Sequence, residues 1–397
     1  MPDAMNPAYF YQRFTLDLTL VEKAAFNPYY PVITSGLEET VDIGGNRYID
    51  LASNNYLGLA NDARLKKVCH EALDHYGASM CATPVASGYT DLYSRLERKL
   101  SAFTGLEASL IYPSCYQANN GLFPAIAGRE DIVLVDRNAH SSLIEGVKAS
   151  GCKIWPFVHN DMQHLEKVLK KVKKYRQIFV VTESVFSTEG AIAPVREIID
   201  LCEKYGALPV IDDSHGIGVL GEQGKGILEH EGITSFNGIY TASLGKAIAN
   251  AGGVISGKKS LIEYLRYYSS HLVYSTALLP VAMAGIEQVL EIMKDEFVHI
   301  KKRMWSNAAA LAEALKNKGF DLCDSMTPIV SIKSGKSLET LLMSREFYHH
   351  KILTTPFIYP SVAINEGRIR LIAGANLTEE SIERVKGVVK KMKIKGL

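Results

Sequence analysis

Lys246 stands in "YTASLGKAIANAGG" (240–253), where every other residue is uncharged. A lysine is ordinarily a solvated surface group. When burial or a neighbouring cation lowers its pKa, the amine becomes a nucleophile that can form an imine with an aldehyde. Ala242, Ser243, Gly245, Ala247, Ala249, Ala251, Gly252 and Gly253 are small, as expected where a bulky ligand approaches the backbone. A second cluster is "ALPVIDDSHG", an apolar run that delivers Asp212 and His215 onto a glycine turn. A carboxylate at a buried strand end is costly unless it meets a positive partner. One aspartate there is equally well read as a helix N-cap, but a cap does not need four polar groups.

Three further stretches bring polar residues to the ends of apolar runs. "YPSCYQANNG" opens a helix, whose free N–H groups and dipole favour an anion; a simple cap by Ser114 reads as well. "DRNAHSSL" places His140 just past "DIVLVD", although a lone histidine is more often structural. "TESVFSTEGAIAP" holds Glu183 and Ser187 where a ligand could be touched, or where an ordinary turn forms before Pro194. Together, a lysine, an aspartate, a histidine and an anion cradle are the groups that pyridoxal 5'-phosphate (PLP) requires: an amine for its aldehyde, a carboxylate for its ring nitrogen and N–H groups for its phosphate. No metal site is expected.

These residues need a scaffold that gathers strand ends. The chain has 397 residues, 47% hydrophobic and 22% charged, with a net charge of +1. That is ordinary globular composition without the basic excess that tracks nucleic acid. The six cysteines (69, 81, 115, 152, 202 and 323) form no CxxC, so neither a disulfide framework nor a zinc site is expected. With no secretory signal and no membrane-spanning run, a cytoplasmic protein is expected. "ASLIY", "DIVLVD", "QIFVVTES", "ALPVID", "GIYTAS" and "GGVISG" read as buried strands. "DARLKKVCHEALDHYG", "DLYSRLERKLSAFTG", "MQHLEKVLKKVKKY" and "PVREIIDLCEKYG" read as helices between them. This alternation predicts an α/β fold whose mainly parallel sheet is covered on both faces. Ligands bind such sheets beyond the carboxyl ends of the strands. "TPIVSIK" and "GRIRLIAG" read as strands of a smaller C-terminal domain.

"DDSHGIGVLGEQGKG", "ASLGKA" and "HLVYSTALLP" resemble the α-oxoamine synthase family of PLP enzymes, and the likeness runs from "NNYLGLAND" at 54 to "GRIRLIAG" at 367. The resemblance implies the fold-type I (aspartate aminotransferase-like) architecture. It divides the chain into an N-terminal segment (1–58) packing on the small domain, a large PLP-binding domain (59–290) and a small C-terminal α/β domain (291–397). It implies that Lys246 holds the cofactor and later moves the Cα proton. Asp212 then pairs with the pyridinium nitrogen, His215 and Ser187 contact the phenolic oxygen, and His140 stacks on the ring. Cys115, Tyr116 and Ser243 hold the phosphate, and Ser275 or Thr276 reaches the phosphate of a neighbouring subunit, implying a homodimer with shared active sites. Asn54 and Arg368 hold the substrate carboxylate, with Arg370, two residues on, the less favoured choice; a guanidinium suits a carboxylate as a bidentate partner.

The implied reaction is condensation of a small amino acid with an acyl-CoA thioester. Glycine with acetyl-CoA comes first, then alanine with a dicarboxylic acyl group, then a long acyl chain. An aminotransferase and an inactive partner subunit are the alternatives, the latter opposed by the presence of Lys246. The chain departs from the family pattern at Pro84, Val85, Tyr93 and Asn376. In relatives these positions lie near the acyl or substrate entrance.

Overall fold

A computed structural model describes residues 7–392. Its central sheet has seven strands, numbered in chain order with the smaller sheets below. Their spatial order is β3 (Ala108–Tyr112), β9 (Gly253–Gly257), β8 (Ile239–Ser243), β7 (Leu208–Asp212), β6 (Ile178–Glu183), β4 (Ile132–Asp136) and β5 (Lys153–Phe157). Strands β4 to β8 run parallel, and β9 is antiparallel to both its neighbours.

The strands read as continuous apolar runs because both faces are covered. In β6, Val180 enters one core while Phe179 and Val181 enter the other; Leu134 against Val133 and Val135 repeats this in β4. Helices Ala63–Tyr76, Asp91–Thr104, Met162–Lys171 and Val195–Tyr205 cover the first face. Helices Cys115–Ile126, Ser141–Ser150 and Lys259–Tyr268 cover the second. The one central strand absent from the sequence analysis, β5, contains Pro156, which breaks the apolar pattern. It lies at the sheet edge, where proline's missing N–H is tolerated.

Two three-stranded sheets complete the molecule. One joins β10 (Ile329–Gly335), β13 (Gly367–Ile372) and β12 (Thr355–Phe357), all antiparallel. The other joins β1 (Thr40–Ile43) and β2 (Asn46–Asp50) to β11 (Ile352–Leu353). The N-terminal chain is thereby paired with the C-terminal one, and Ile49 and Leu51 share a core with Phe347, Ile369 and Leu371. Helix Pro280–Lys318, 39 residues long, contributes Met283 and Ile286 to the central core and Leu311 and Leu315 to this one. A division at 290/291 falls inside that helix. No helix among the described residues is long and apolar enough to cross a membrane.

Two helices that serve the site pack unusually close. A Cβ on Gly146 would lie 2.4 Å from the carbonyl oxygen of Asn119. Gly146→Val therefore has to spread helices Cys115–Ile126 and Ser141–Ser150. The expected cost is about 2 kcal/mol, read as a lower denaturant midpoint at unchanged slope.

Candidate active site

The carboxyl ends of the parallel strands collect the polar residues. Asp212 ends β7 and Glu183 ends β6, and the two are register partners. Ser243 ends β8, with Lys246 in the loop that follows; His140 lies beyond β4. Asp212 is buried, and both its oxygens are held: Oδ1 accepts from the Ser214 N–H at 3.0 Å and Oδ2 from Asn119 Nδ2 at 2.7 Å.

Lys246 is half-buried. Burial lowers its pKa, while Asp212, Cys115 and Glu183 oppose that shift. The Glu183 carboxyl is pushed well up, first by burial and then by the negative charge of Asp212. Glu183 is thereby biased toward its neutral acid form.

Some of the small residues around Lys246 have a packing cause. Ala242 and Ala247 are fully buried in the core. A Cβ on Gly253 would lie 2.4 Å from Cys115 Cα, because β9 begins against the first turn of helix Cys115–Ile126. Gly245 and Ala251 are exposed.

A relay connects the two histidine-bearing loops to Asp212. The Asn119 amide that donates to Asp212 also donates to Ser142 Oγ at 3.0 Å. Ser142 Oγ lies 2.8 Å from His140 Nδ1, which also accepts from the Ser142 N–H at 3.2 Å. With Nδ1 an acceptor, the neutral ring carries its proton on Nε2. Burial lowers the His140 pKa and favours that neutral form. His215, fully buried, is held well below the ordinary histidine range by burial and by the charges of Lys246 and Arg370. Its Nδ1 is 2.8 Å from the hydroxyl of Tyr56, itself buried and shifted upward, so the neutral phenol donates and Nε2 of His215 carries the proton. Asn119, Ser142 and Tyr56 were not among the expected site residues. Asn119 and Tyr56 stand in quoted motifs, but nothing in the sequence pairs them with Asp212 and His215.

At the anion cradle both readings of "YPSCYQANNG" hold at once. Ser114 caps the helix through the Gln117 N–H at 3.1 Å. The first turn still holds N–H groups, Cys115 and Tyr116 among them, that an α-helix does not use internally. Cys115 is buried and Tyr116 half exposed. Ser243 Oγ accepts from the Gly245 N–H at 3.2 Å. Ser275 Oγ accepts from Gln117 Nε2 of its own chain at 3.1 Å, and Thr276 is exposed.

The carboxylate-binding candidates separate. Arg368 donates to the Glu366 carbonyl at 2.7 Å and pairs with the Glu366 carboxylate at 3.6 Å. Arg370 is buried, its guanidinium lies 5.0 Å over the Phe357 ring, and Nη1 donates to the Ser187 carbonyl at 3.0 Å. The charge of Arg370 is felt at Tyr56, His215 and Lys246. Its Nε, like Asn54 Oδ1, is buried with no hydrogen-bond partner. The Nε of Arg368 is buried and unpartnered as well, but it is the charge of Arg370 that bears on Lys246 and His215, whereas that of Arg368 bears on Glu189. Of the departures from the family pattern, Tyr93 is a core residue whose hydroxyl donates to the Ile111 carbonyl at 2.6 Å. Pro84, itself buried, begins a turn in which Val85 is exposed, and Asn376 is wedged against Gly58 and Gly374.

A buried carboxylate, a desolvated amine, two neutral imidazoles with oriented Nε2 protons and a helix N-terminus fit PLP by donor type and by charge. Comparison with known proteins agrees. The family "Aminotransferase class I and II" matches residues 46–388. The 8-amino-7-oxononanoate synthase of Thermoanaerobacter pseudethanolicus is 37% identical over 347 residues, 87% of this chain and 86% of that protein. The 2-amino-3-ketobutyrate coenzyme A ligase of Escherichia coli is 35% identical over 379 residues, 94% and 95% of the two chains. In fold, the chain is similar to a serine palmitoyltransferase from S. paucimobilis with a bound PLP–myriocin aldimine. That likeness has a TM-score of 0.90 and 23% identity, and covers 97% of this chain and 96% of the other.

Tyr56→Phe removes the donor to His215 Nδ1. In nitrogen-resolved NMR, His215 should be a single neutral tautomer in the wild type and a mixture in the variant. A loss of about 1–3 kcal/mol in stability accompanies the unsatisfied ring nitrogen. An unchanged single tautomer would refute this assignment.

Proposed function

The chain belongs to the aminotransferase class I and II family and, within it, to the α-oxoamine synthases, and we propose that it joins a small amino acid to an acyl-CoA thioester with release of CoA. The observation that carries this reading is the convergence on one set of strand ends of Lys246, Asp212, His140, His215 and a buried arginine, Arg370. Glycine with acetyl-CoA is the preferred substrate pair, in line with the similarity to 2-amino-3-ketobutyrate coenzyme A ligase. Alanine with a dicarboxylic acyl thioester is the second, in line with the similarity to 8-amino-7-oxononanoate synthase.

Bound PLP supplies an aldehyde for the amino nitrogen and an electron sink for the charge left when the Cα proton departs. Lys246 would hold that aldehyde, and its amine, poised by burial toward the neutral form, would take the Cα proton at Nζ. Asp212 would pair with the ring nitrogen, and the hydrogen bonds from Asn119 and Ser214 prevent its carboxyl from turning away. His215 would donate from Nε2 to the ring oxygen, with Ser187 beside it. His140, aimed by Ser142, would pack on the ring. The first turn of helix Cys115–Ile126 and Ser243 receive the phosphate.

Arg370 is assigned the amino acid carboxylate, in place of Arg368, with Asn54 beside it. Both forks have an unpartnered Nε, but the charge of Arg370 is the one that bears on Lys246 and His215, and a buried site strengthens its donors. We also assign a second copy of the chain to the tyrosine face of helix Lys259–Tyr268. Tyr264, Tyr267 and Tyr268 are 44%, 65% and 64% exposed there, and nearby Tyr274 is 85% exposed.

Purified enzyme incubated with one amino acid and one acyl-CoA should release free thiol. Glycine with acetyl-CoA is expected to be fastest in a panel of glycine, alanine and serine against acyl chains of increasing length, and the product mass reports whether carbon dioxide is lost. Lys246→Ala should abolish both turnover and the visible absorbance of the lysine-bound cofactor. Thiol release that persisted in that variant, or wild-type activity that required a keto acid, would overturn the reading.

Arg370→Gln should raise KM for the amino acid by roughly a hundredfold, the scale of a lost charge-assisted bidentate contact. Arg368→Gln should change it by less than a tenth of that, and the reverse ranking would return the carboxylate to Arg368.

A further inference from the structure

His159, at the carboxyl end of β5, is held by carboxylates on both ring nitrogens. Nδ1 lies 2.9 Å from Asp136 Oδ1, and Nε2 lies 3.1 Å from Glu189 Oε1. The ring meets Phe186 edge-on, with centroids 4.3 Å apart. Asp136 is buried at the end of β4, where its carboxylate also accepts from the N–H groups of Asn138 and Asn160, at 2.9 and 3.1 Å. Burial disfavours a charged ring, but the two carboxylates outweigh it and hold the imidazolium up to about 9. Glu189 is correspondingly lowered, first by His159 and also by the more distant charge of Arg368 from β13.

The segment 186–190 lies between the central sheet and the C-terminal antiparallel sheet. From the latter, Ser331 Oγ donates to the Thr188 carbonyl at 2.7 Å, Thr327 Oγ1 to the Gly190 carbonyl at 3.3 Å and Arg370 to the Ser187 carbonyl at 3.0 Å. On the side of the former, Phe186 is buried in the central core, and the polar side-chain anchor is His159, through Glu189. The same ring is bound to Asp136, four residues before His140.

We propose that His159, clamped between Asp136 and Glu189, is a positioning residue that anchors the 186–190 strap to the central sheet and so sets, through the Ser187 carbonyl, the Arg370 fork for the amino acid. This inference rests on the reading of Arg370 as the arginine of the amino acid site. His159 is assigned no contact with substrate. Its two ion pairs decide where the strap lies, and the strap carbonyl of Ser187 orients the Arg370 fork. The charges that face the ring are Asp136 from β4, Glu189 from the strap and, behind Glu189, Arg368 from β13. Because carboxylate partners favour the protonated ring, the clamp is complete at neutral pH and is lost as pH rises through about 9.

The test compares PLP-loaded wild type, His159→Gln and Glu189→Gln by two measurements. Hydrogen–deuterium exchange of the 186–190 amides should be at least about tenfold faster in both variants, with helix Val195–Tyr205 unaltered. Glycine titrated against the cofactor absorbance should half-saturate His159→Gln at roughly ten- to hundredfold higher concentration at neutral pH, the scale of a site misplaced by about an ångström. That ratio should shrink toward one as pH rises through about 9, since only the wild type has an imidazolium to lose. Taking the ratio cancels the titration of glycine's own amine. In Glu189→Gln the decline of affinity should move to lower pH, because one of the two carboxylates is gone. Unchanged exchange in both variants, or a ratio that does not vary with pH, overturns the proposal. A wild type whose absorbance responds to no amino acid refutes the functional reading instead, and the exchange comparison then decides the clamp by itself.

Discussion

A carboxylate and an amine cannot leave water together at the end of a sheet unless each is compensated. That constraint organises this molecule. Asp212 is buried because β7 ends there, and Asn119 and Ser214 hold both its oxygens. Lys246 loses hydration to the same burial, which lowers its pKa, and the negative groups around it limit the loss. Glu183, beside Asp212 in the neighbouring strand, is the group that yields, pushed toward its neutral acid first by burial and then by Asp212. The site therefore sets a hydrogen-bonded carboxyl beside a poised amine and an acid biased toward its neutral form.

The side-chain relay from Asp212 to His140 comes from helices rather than from the strands that supply the charges. Asn119 sits on helix Cys115–Ile126 and Ser142 on helix Ser141–Ser150, and one relay from Asp212 to His140 passes through both. The relay requires those helices to be nearly in contact, which is the role of Gly146. Gly253 similarly lets β9 start against the first turn of helix Cys115–Ile126. Stability and site geometry thus depend on the same close approaches. On the other side, the 186–190 strap joins the central sheet to the C-terminal one, and the arginine that faces the site donates to that strap.

Much of the fold is legible from pattern alone. Six central strands are uninterrupted apolar runs because helices cover both faces of the sheet, and four of the helices carry an apolar stripe that ends at or near their true boundaries. The helix read from "MQHLEKVLKKVKKY" stops at Lys171, short of the quoted stretch, because the lysine-rich residues that follow form turns. Strand β5 is hidden because an edge strand with a proline and exposed residues lacks the buried-strand pattern. The reversal of β9 leaves no trace, since an antiparallel strand buried on both faces looks like its parallel neighbours. Of the small residues around Lys246, Ala242, Ala247 and Gly253 are set by packing within the chain. A glycine makes room for backbone as readily as for ligand.

The sequence by itself determined which chemistry was available. Lys246, Asp212, His140 and His215 are identifiable because each follows a strand-like run, and carboxyl strand ends of such sheets meet at one place whatever their spatial order. Only the tertiary structure decided which neighbours tune them. Tyr56 with His215, Asn119 with Asp212, and Glu189 with His159 are pairs separated by 159, 93 and 30 residues. Nothing local links them. The same holds for the choice between Arg368 and Arg370, which share a strand and a face. The strap passes within reach of one and the Glu366 turn takes the other, and that difference arises from register and packing across the chain, which local residue types do not encode.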